Sequence, residues 1–542
     1  MRSLILVLAA GALLAPAAQA SQNQSSIMMD DDLLVYRGHV AAQKTMTQMK
    51  SLGVDTIRVT VLWSVVAERA RFTPAEIKKL KGKKARRAAK LQTKRFRGSS
   101  PKTYPQTNWD RYDELVRIAR TVGLRVYFNV TGPGPTKWAH KKPPKSQRKL
   151  SKTYKPKPVY FKQFVTALGK RYSGSYRDEN QGKGVLPRVS VWSLWNEPNQ
   201  AGWLSPQWEK VGSKRVLVSP MLFRKLHQSG YAGLAKSGHG VGSDTILLAE
   251  TAPLGSGKTT AKSPPLPTVF LRELACVKPN GSKYTGSAAK ARGCNKFGPK
   301  LQANGYAHHP YTKNVPTTTQ PPAGGLTMAN ISQLGTLLDD LSAKTGGKIP
   351  ADLPLWMTEF GFETNPPDPF NGVTLAEQAK YNQLGEFLAY ANPRIASQAQ
   401  FLLRDVLPVA KRTPGTKPYW FTYQSGLFFA NTKPKPGAFA YQIPFIVFPG
   451  ATDTATGRQN FRFWGQLRFL PDGSTADKAV IQWRPKGSAG AWTPVSAPLA
   501  ISSRGYFQTS LLNPQAAPAE WRAAWRRPDG TILLASLPST GE

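Results

Sequence analysis

The segment VSVWSLWNEPNQ, residues 189–200, decides the fold because a strand pattern in it stops abruptly at polar residues. β-Branched and aromatic residues fill both faces as far as Trp195, which is typical of a strand buried on both sides. The next residues are Asn196, Glu197 and Pro198. A carboxylate can end such a strand only where the side chain leaves the core.

The same alternation of strand and helix patterns continues in both directions from this segment. Parallel strands joined by crossover helices are indicated, and eight of them predict a closed α/β barrel, the (β/α)8 fold. An open doubly wound sheet is the alternative, but no G-x-G-x-x-G follows an early strand. The other predicted strands are residues 32–38, 56–63, 124–130, 245–250, 304–311, 353–362 and 397–406.

The composition changes after about residue 450. Short aromatic-rich segments alternate with Pro-Asp-Gly and Gly-Ser turns, and no helical period is present. This pattern predicts a small antiparallel β-sandwich over residues 451–542, after a barrel over residues 21–450. The aromatic residues of the sandwich are expected to form either its core or a face that stacks on carbohydrate.

The first twenty residues read as a signal peptide. Arg2 provides the positive start, an apolar run follows, and Ala18-Gln19-Ala20 is typical of a cleavage site. No later stretch approaches the length of a membrane span. We therefore expect a secreted or cell-surface protein.

The two cysteines agree with export. Cys276 and Cys294 lie close together in a polar segment, and a structural disulfide between them is expected in an oxidising compartment. Two cysteines cannot complete a tetrahedral zinc site. No metal or other cofactor is predicted.

The chain is strongly basic, with 74 Lys and Arg against 31 Asp and Glu and a formal net charge of +43. Two runs, residues 77–102 and 137–162, hold much of the excess. Such runs form either a solvated surface or a surface that attracts a polyanion, such as an acidic glycan or a cell-wall polymer. Nucleic acid is not expected, because no recognition motif accompanies the charge.

Two glutamates end strands that should share one mouth. In a closed parallel barrel the carboxyl ends of the strands project their side chains together, and Glu197 ends the fourth strand while Glu359 ends the seventh. Two carboxylates across a sugar-sized cleft are what glycoside hydrolysis needs. A secreted glycan-binding protein without catalysis is the alternative.

The motifs WNEPN and WMTEFGF at these two strand ends resemble those of glycoside hydrolase clan A, the retaining (β/α)8 enzymes that include families 5 and 39. The resemblance covers about residues 30 to 450. It implies that Glu197 is the acid/base and Glu359 the nucleophile, and that a β-type, equatorial glycosidic bond is cleaved with retention by double displacement.

The resemblance extends to neighbouring positions. It implies that Asn196 contacts the 2-hydroxyl of the sugar and that Arg58 keeps the nucleophile ionised. His309 and Tyr311 match a His-x-Tyr motif whose tyrosine bonds the nucleophile. Strand three ends in FNVTG where many family 5 members carry a histidine, so either Asn129 or Thr131 is the expected sugar ligand there.

Three further residues are candidates for binding substrate. Trp63 and Trp203 follow predicted strands, so each is expected either to stack on a sugar ring or to lie in the core. Glu250 ends the fifth strand and should point into the mouth. The sequence leaves open the sugar, the linkage and the choice between internal and terminal cleavage.

Overall fold

The protein is described by a computed structural model over residues 21–470 and 476–541, so the predicted signal peptide lies outside the described residues. Eight parallel strands close into a barrel in the order β1-β10-β9-β8-β7-β4-β3-β2, and β5 and β6 form a separate hairpin. The predicted barrel is confirmed. The bounds are β1 Ser25–Met29, β2 Thr56–Leu62, β3 Arg125–Thr131, β4 Val191–Leu194, β5 Trp208–Val211, β6 Lys214–Leu217, β7 Thr245–Thr251, β8 Gly305–His308, β9 Leu355–Met357 and β10 Ile395–Phe401.

Helices connect the barrel strands and surround them. Their amphipathic faces pack on the outside of the barrel and bury its aliphatic and aromatic residues in one continuous core. The α-helices of the described chain are α1 His39–Ser51, α2 Trp63–Val66, α3 Pro74–Lys79, α4 Lys83–Arg95, α5 Asp110–Val122, α6 Pro158–Arg171, α7 Ser219–Ala235, α8 Pro267–Leu274, α9 Gly286–Ala291, α10 Ser332–Thr345, α11 Leu375–Tyr390 and α12 Pro436–Gln442.

The first strand lies earlier than the sequence predicted. Residues 32–38 were expected to form it, but Asp32–Tyr36 is a π-helical turn and β1 is Ser25–Met29. All five residues of β1 are buried, and they pair in parallel with β10. The serines of β1 hide its strand character in the sequence, whereas the Leu-Leu-Val run after it looks like a strand. The correction places Asp31 at the end of β1.

The interior of the barrel is filled rather than open. One residue from each of seven strands forms a buried ring that provides the floor of the mouth, as expected for a barrel of eight strands. Polar groups above this floor are therefore held on a packed base. The ring residues are Ile27, Tyr127, Val191, Leu247, Ala307, Trp356 and Ala399.

Two small antiparallel sheets follow the barrel and confirm the predicted β unit. One has the order β11-β12-β15 and the other the order β14-β13-β16-β17. Its aromatic residues, among them the fully buried Trp521, form the core between the sheets. The predicted boundary at residue 450 falls inside β11. The strands are β11 Phe445–Thr452, β12 Gln459–Gln466, β13 Lys478–Pro485, β14 Thr493–Pro494, β15 Tyr506–Leu512, β16 Ala519–Arg526 and β17 Ile532–Ala535.

The sandwich packs against the amino-terminal end of the barrel strands. Arg504 pairs with Asp55, the residue that precedes β2, at 2.8 Å. The ring of Tyr506 lies 4.7 Å from that of Tyr390, at the end of α11. The sandwich therefore lies at the end of the barrel opposite to the carboxyl ends of the strands.

The predicted disulfide is present, since Cys276 and Cys294 are bonded to each other. It joins the end of α8 to the segment that follows α9. None of the helices in the described part of the chain combines the length and the apolar character needed to cross a bilayer.

Candidate active site

Four neighbouring barrel strands bring their polar ends together. Glu197 follows β4, His309 follows β8 and Glu359 follows β9. Glu250 is the penultimate residue of β7. Each of Glu197, His309 and Glu359 offers one ligand atom within 4.8 Å of those of the other two. The two glutamates that the sequence placed at strand ends therefore face one another across a short gap.

The backbone at this mouth adopts conformations that side chains disfavour. Trp195 and Glu197 beyond β4, Ala249 and Glu250 in β7, and Leu402 beyond β10 all have positive φ, between 34° and 91°. The two strained carboxylate segments are joined, because the Glu197 N–H donates to the Glu250 carbonyl at 3.0 Å. Such strain persists where the surroundings fix it, and it concentrates at functional sites.

Arg58 of β2 connects the groups of the mouth. Its Nη1 lies 2.9 Å from Glu359 Oε1, and its Nη2 donates to Asn196 Oδ1 at 2.8 Å and to Glu250 Oε2 at 3.3 Å. The guanidinium is fully buried. Because the Asn196 oxygen accepts from Arg58, the amide NH₂ is the part of Asn196 that can donate to a sugar hydroxyl.

Glu250 lies beneath the other carboxylates and is fully buried. Burial alone would raise its pKa, but the charge of Arg58 and the hydrogen bond from His309 hold it well below the usual range. Ser193 Oγ donates to Glu250 Oε1 at 2.6 Å. Tyr127 and Thr358 also donate to this carboxylate. Glu250 is therefore a permanent negative charge that supports its neighbours.

His309 bridges the carboxylates. Its Nδ1 is 3.0 Å from Glu197 Oε1 and its Nε2 is 2.8 Å from Glu250 Oε2, with Glu359 Oε1 at 3.5 Å. Burial would lower its pKa, but the charge of Glu359 and the hydrogen bonds to Glu197 and Glu250 raise the pKa to about 10. At neutral pH the ring is an imidazolium, and both of its N–H groups donate.

Glu359 receives a second donor on its other oxygen. Tyr311 O–H donates to Glu359 Oε2 at 3.0 Å. Burial raises the pKa of Glu359, against the opposing charges of His309 and Arg58. The pKa of Tyr311 is raised well above 10 by burial and by the charge of Glu359, so its hydroxyl stays protonated and remains a donor.

A cleft of about 800 Å³ opens above these groups. Trp203, partly exposed, lines it together with Asn196, Glu197, Tyr311 and Glu359. Its size suits a few sugar units, and aromatic walls with convergent polar groups are typical of a ligand site. Other lining residues are Asp31, Tyr36, Gln200, Lys313, Glu363, Phe401 and Tyr423.

Two of the predicted substrate ligands lie elsewhere, in addition to Glu250, which is buried beneath the cleft and does not line it. Trp63 is fully buried, stacked on Phe164 with ring centroids 5.7 Å apart, so it is a core residue with no face open to the cleft. Asn129 is also buried and donates to Ser193 Oγ at 2.7 Å, which places it below the cleft as a support of the Glu250 network. His308 packs behind its neighbour, bonded to Thr251 and to the Leu326 carbonyl.

Four residues of the mouth were missed by the sequence analysis: Asp31, Tyr127, Ser193 and Thr358. A signal existed for Tyr127, because it alternates with Asn129 along β3 and polar groups at that period share a face. Nothing in the sequence connects Ser193 or Thr358 to Glu250. They meet it only because barrel closure surrounds one carboxylate with the ends of several strands.

Glu197, His309 and Glu359 are also the only group of the described chain in which three possible metal ligands converge. Both ring nitrogens of His309 are already engaged by carboxylates, and Arg58 lies against Glu359. A metal ion would have to displace one of these contacts. The arrangement favours hydrogen bonding between charged groups over metal ligation.

The chain matches no protein-family model and no curated protein. Among solved structures it is similar to a monomeric beta-xylosidase from Caulobacter crescentus, with 12% sequence identity and a TM-score of 0.44 over 92% of this chain and 95% of that one. A GH30 endoxylanase from Clostridium papyrosolvens has 11% identity and a TM-score of 0.42, over 93% and 97%.

A GH5_18 structure from Bifidobacterium longum subsp. longum, in complex with Manb1-4GlcNAc, has 11% identity and a TM-score of 0.41 over 77% of each chain. These neighbours are glycoside hydrolases. At such identities, the function of this chain has to be inferred from the geometry of its own mouth.

Proposed function

We propose that the protein is a retaining glycoside hydrolase of the clan A type, with Glu359 as nucleophile and Glu197 as acid/base. The observation that carries the proposal is the spacing of the two carboxylates, which have oxygens within 4.8 Å of each other. Retaining glycosidases hold their carboxyl groups about 5 to 5.5 Å apart, whereas inverting enzymes need about 6.5 to 9.5 Å for an intervening water. The short spacing of Glu197 and Glu359 supports the retaining mechanism over the inverting one.

The charges at the mouth favour a state in which Glu197 and Glu359 together carry one proton. Arg58 and the imidazolium of His309 provide two positive charges, and Glu250 provides one negative charge. If Glu197 and Glu359 were both ionised, a buried negative charge would remain without compensation. Of these two carboxyl groups only Glu359 contacts the guanidinium of Arg58, so we assign the negative charge to Glu359 and the role of acid to Glu197.

The reaction then follows in two steps. Glu359 attacks the anomeric carbon and forms a glycosyl ester, while the bond to the leaving oxygen breaks and that oxygen takes the proton of Glu197. Glu197, now a base, takes a proton from water, and the resulting hydroxide oxygen attacks the same carbon and releases Glu359. Tyr311 and Arg58 hold Glu359 in place throughout.

The substrate proposed is an oligo- or polysaccharide with a β-type, equatorial linkage, and acid groups on that polymer would match the net charge of +43. We propose that the chain is exported, which the sequence of residues 1–20 and the disulfide support. The barrel up to the residue before β11 would be the catalytic domain, and the sandwich that begins with β11 an accessory domain.

The test is hydrolysis of aryl β-glycosides and of plant, fungal and bacterial wall polysaccharides by the wild type, Glu197→Ala and Glu359→Ala. We expect activity on at least one substrate, lowered about 10²- to 10⁴-fold or more in both variants. Glu363→Ala is the matched control, since Glu363 lines the same cleft but bonds Asn371 rather than the catalytic pair. Its loss should stay below about tenfold.

The stereochemistry tests the finer part of the proposal. Proton NMR of the first product formed from a β-glycoside should show the β anomer before mutarotation. A first product of the opposite configuration would contradict retention, and the absence of hydrolysis on every substrate would contradict the glycosidase itself.

A further inference from the structure

A second cavity, of about 610 Å³, lies beside the cleft and is lined by two loops far apart in the sequence. One wall is the 3₁₀ segment Lys145–Leu150, between β3 and α6. The other is the tip of the loop after β7, residues 260–262. We call this cavity the basic pocket, because its charged lining residues are all cations: Lys145, Arg148, Lys149 and Lys262.

The four cations of the basic pocket lack protein partners within the described residues. Some basic residues nearby are paired, as Lys155 is with Glu209 at 2.7 Å and Lys137 with Glu76 at 3.8 Å. No ion pair or side-chain hydrogen bond engages the pocket cations, and all four are exposed. Their positive potential is therefore uncompensated and directed into a concave space, where field lines are focused.

The basic pocket also carries groups suited to a sugar. Gln147 lines the pocket, and its buried Oε1 has no hydrogen-bond donor among the described residues, so a small rotation of the amide would present an acceptor to a sugar hydroxyl. Leu150 and Ala261 add apolar surface of the kind on which a sugar ring packs, and Ser146 and Thr260 add hydroxyls. A fully deprotonated inorganic anion has no hydrogen to donate to such an acceptor, whereas a sugar hydroxyl does.

One segment, residues 200–207, lines the cleft and is hydrogen-bonded to both walls of the basic pocket. Trp203 of this segment lines the cleft. Ser205 Oγ donates to the Leu150 carbonyl at 3.4 Å, and the Gln207 N–H donates to the Ala261 carbonyl at 2.9 Å. The walls of the pocket are thus fixed to the wall of the cleft.

We propose that the basic pocket binds an acidic polysaccharide, whose carboxylate-bearing sugar units contact the four cations while a neighbouring part of the same chain occupies the cleft. The pocket itself does not depend on catalysis. Only its role as an extension of the cleft rests on the proposed function.

The test compares two full-length variants that lose the same four charges, three lysines and one arginine. The pocket variant has Lys145, Arg148, Lys149 and Lys262 changed to Ala. The helix variant has four exposed residues of α4 changed to Ala: Lys83, Lys84, Arg87 and Lys90. Both carry Glu359→Gln so that the probe stays intact. Calorimetry measures binding of a β-1,4-linked oligoglucuronate and of its methyl ester, which has the same length without charge.

We expect the pocket variant to bind the oligoglucuronate at least about tenfold more weakly than the Glu359→Gln parent, and the helix variant to stay within about twofold. Equal weakening in both variants, or none in either, would show that the basic pocket is not the binding site. Equal binding of the methyl ester would show that the ligand does not need acidic groups. Equal binding of a glycerol phosphate polymer, which lacks sugar rings, would show that the pocket does not recognise a saccharide.

A kinetic measurement separates this proposal from the glycosidase. The four pocket substitutions, made with Glu359 intact, should leave hydrolysis of a short aryl glycoside unchanged, because they do not touch the mouth. If no glycoside is hydrolysed by the wild type, the proposed function fails and the binding comparison still decides the fate of the pocket.

Discussion

The two ends of the barrel are built from the same eight strands and differ in almost every other respect. At the carboxyl end, the backbone has positive φ at Glu197 and Glu250, and three carboxylates gather with an arginine and a histidine under an open cleft. At the amino end, ring contacts between Tyr390, Trp464 and Tyr506 and isolated ion pairs seal the barrel against the sandwich. The difference indicates that charge is concentrated for chemistry at one end and spread for stability at the other.

The largest expected effect compares one glutamate from each end. Glu359→Ala should lower kcat by about 10⁴-fold or more while the melting temperature is kept or raised, because a buried carboxylate with a raised pKa is removed. Glu386→Ala should leave kcat unchanged and lower the free energy of unfolding by about 3 to 5 kcal/mol, because the buried Arg468, 3.0 Å away, loses its partner. Steady-state kinetics and denaturant unfolding measure both. The comparison fails if the two variants show the same profile.

Glu250→Gln tests whether a charge, rather than a shape, supports the mouth. The variant keeps the size of the side chain but leaves Arg58 and His309 less compensated, so stability at pH 7 should fall by about 3 kcal/mol and kcat by about 10- to 100-fold. NMR titration should show a lower pKa for His309. Glu209→Gln, which breaks the partly exposed pair with Lys155, should cost less than about 1 kcal/mol. An unchanged His309 titration would exclude the supporting role.

Two tryptophans that follow barrel strands should separate binding from packing. Trp63→Ala should cost about 3 to 5 kcal/mol of unfolding free energy, because the ring is fully buried. Trp203→Ala should raise KM about tenfold and leave the melting temperature nearly unchanged, because the ring is partly exposed in the cleft. Thermal unfolding and substrate saturation curves distinguish them. A normal KM for Trp203→Ala would remove this residue from the substrate site.

The most gradual effect is a pH slope. The folded-state pKa of His309 is raised to about 10, above the ordinary value near 6.5, so its contribution to stability is complete below pH 6.5 and is lost as pH rises toward 10. The wild type should lose stability relative to His309→Asn across that window, by at most about 1.4 kcal/mol per pH unit. Denaturant unfolding at several pH values measures the difference. Parallel stability curves would show that His309 is neutral.

The sequence predicted the parts of the molecule that depend on local pattern. Alternating helix and strand periods indicated the barrel, and carboxylates at two strand ends indicated Glu197 and Glu359. Closure of the barrel is not local, so the donors that Tyr127 and Thr358 supply to Glu250 could not be found. Packing is not local either. Trp63 and Trp203 have similar positions after strands in the sequence, but in the structure α6 covers only Trp63.

The prediction of the first barrel strand was wrong for a related reason. The Leu-Leu-Val run in residues 32–38 has more strand character than Ser25–Met29, but β10 provides pairing partners only for the latter. Tertiary pairing overrode local preference. The turn that replaced the predicted strand brings Asp31 and Tyr36 to the cleft wall.

The position of the sandwich bears on how the molecule can be handled. Its outer surface and the cleft point in opposite directions along the barrel axis, so attachment to a bead or a sensor chip through the sandwich leaves the approach to the cleft clear. Attachment through the lysines of the basic pocket would bring the support up against the entrance. Immobilised preparations coupled by these two routes should therefore differ in how large a polymer they can admit.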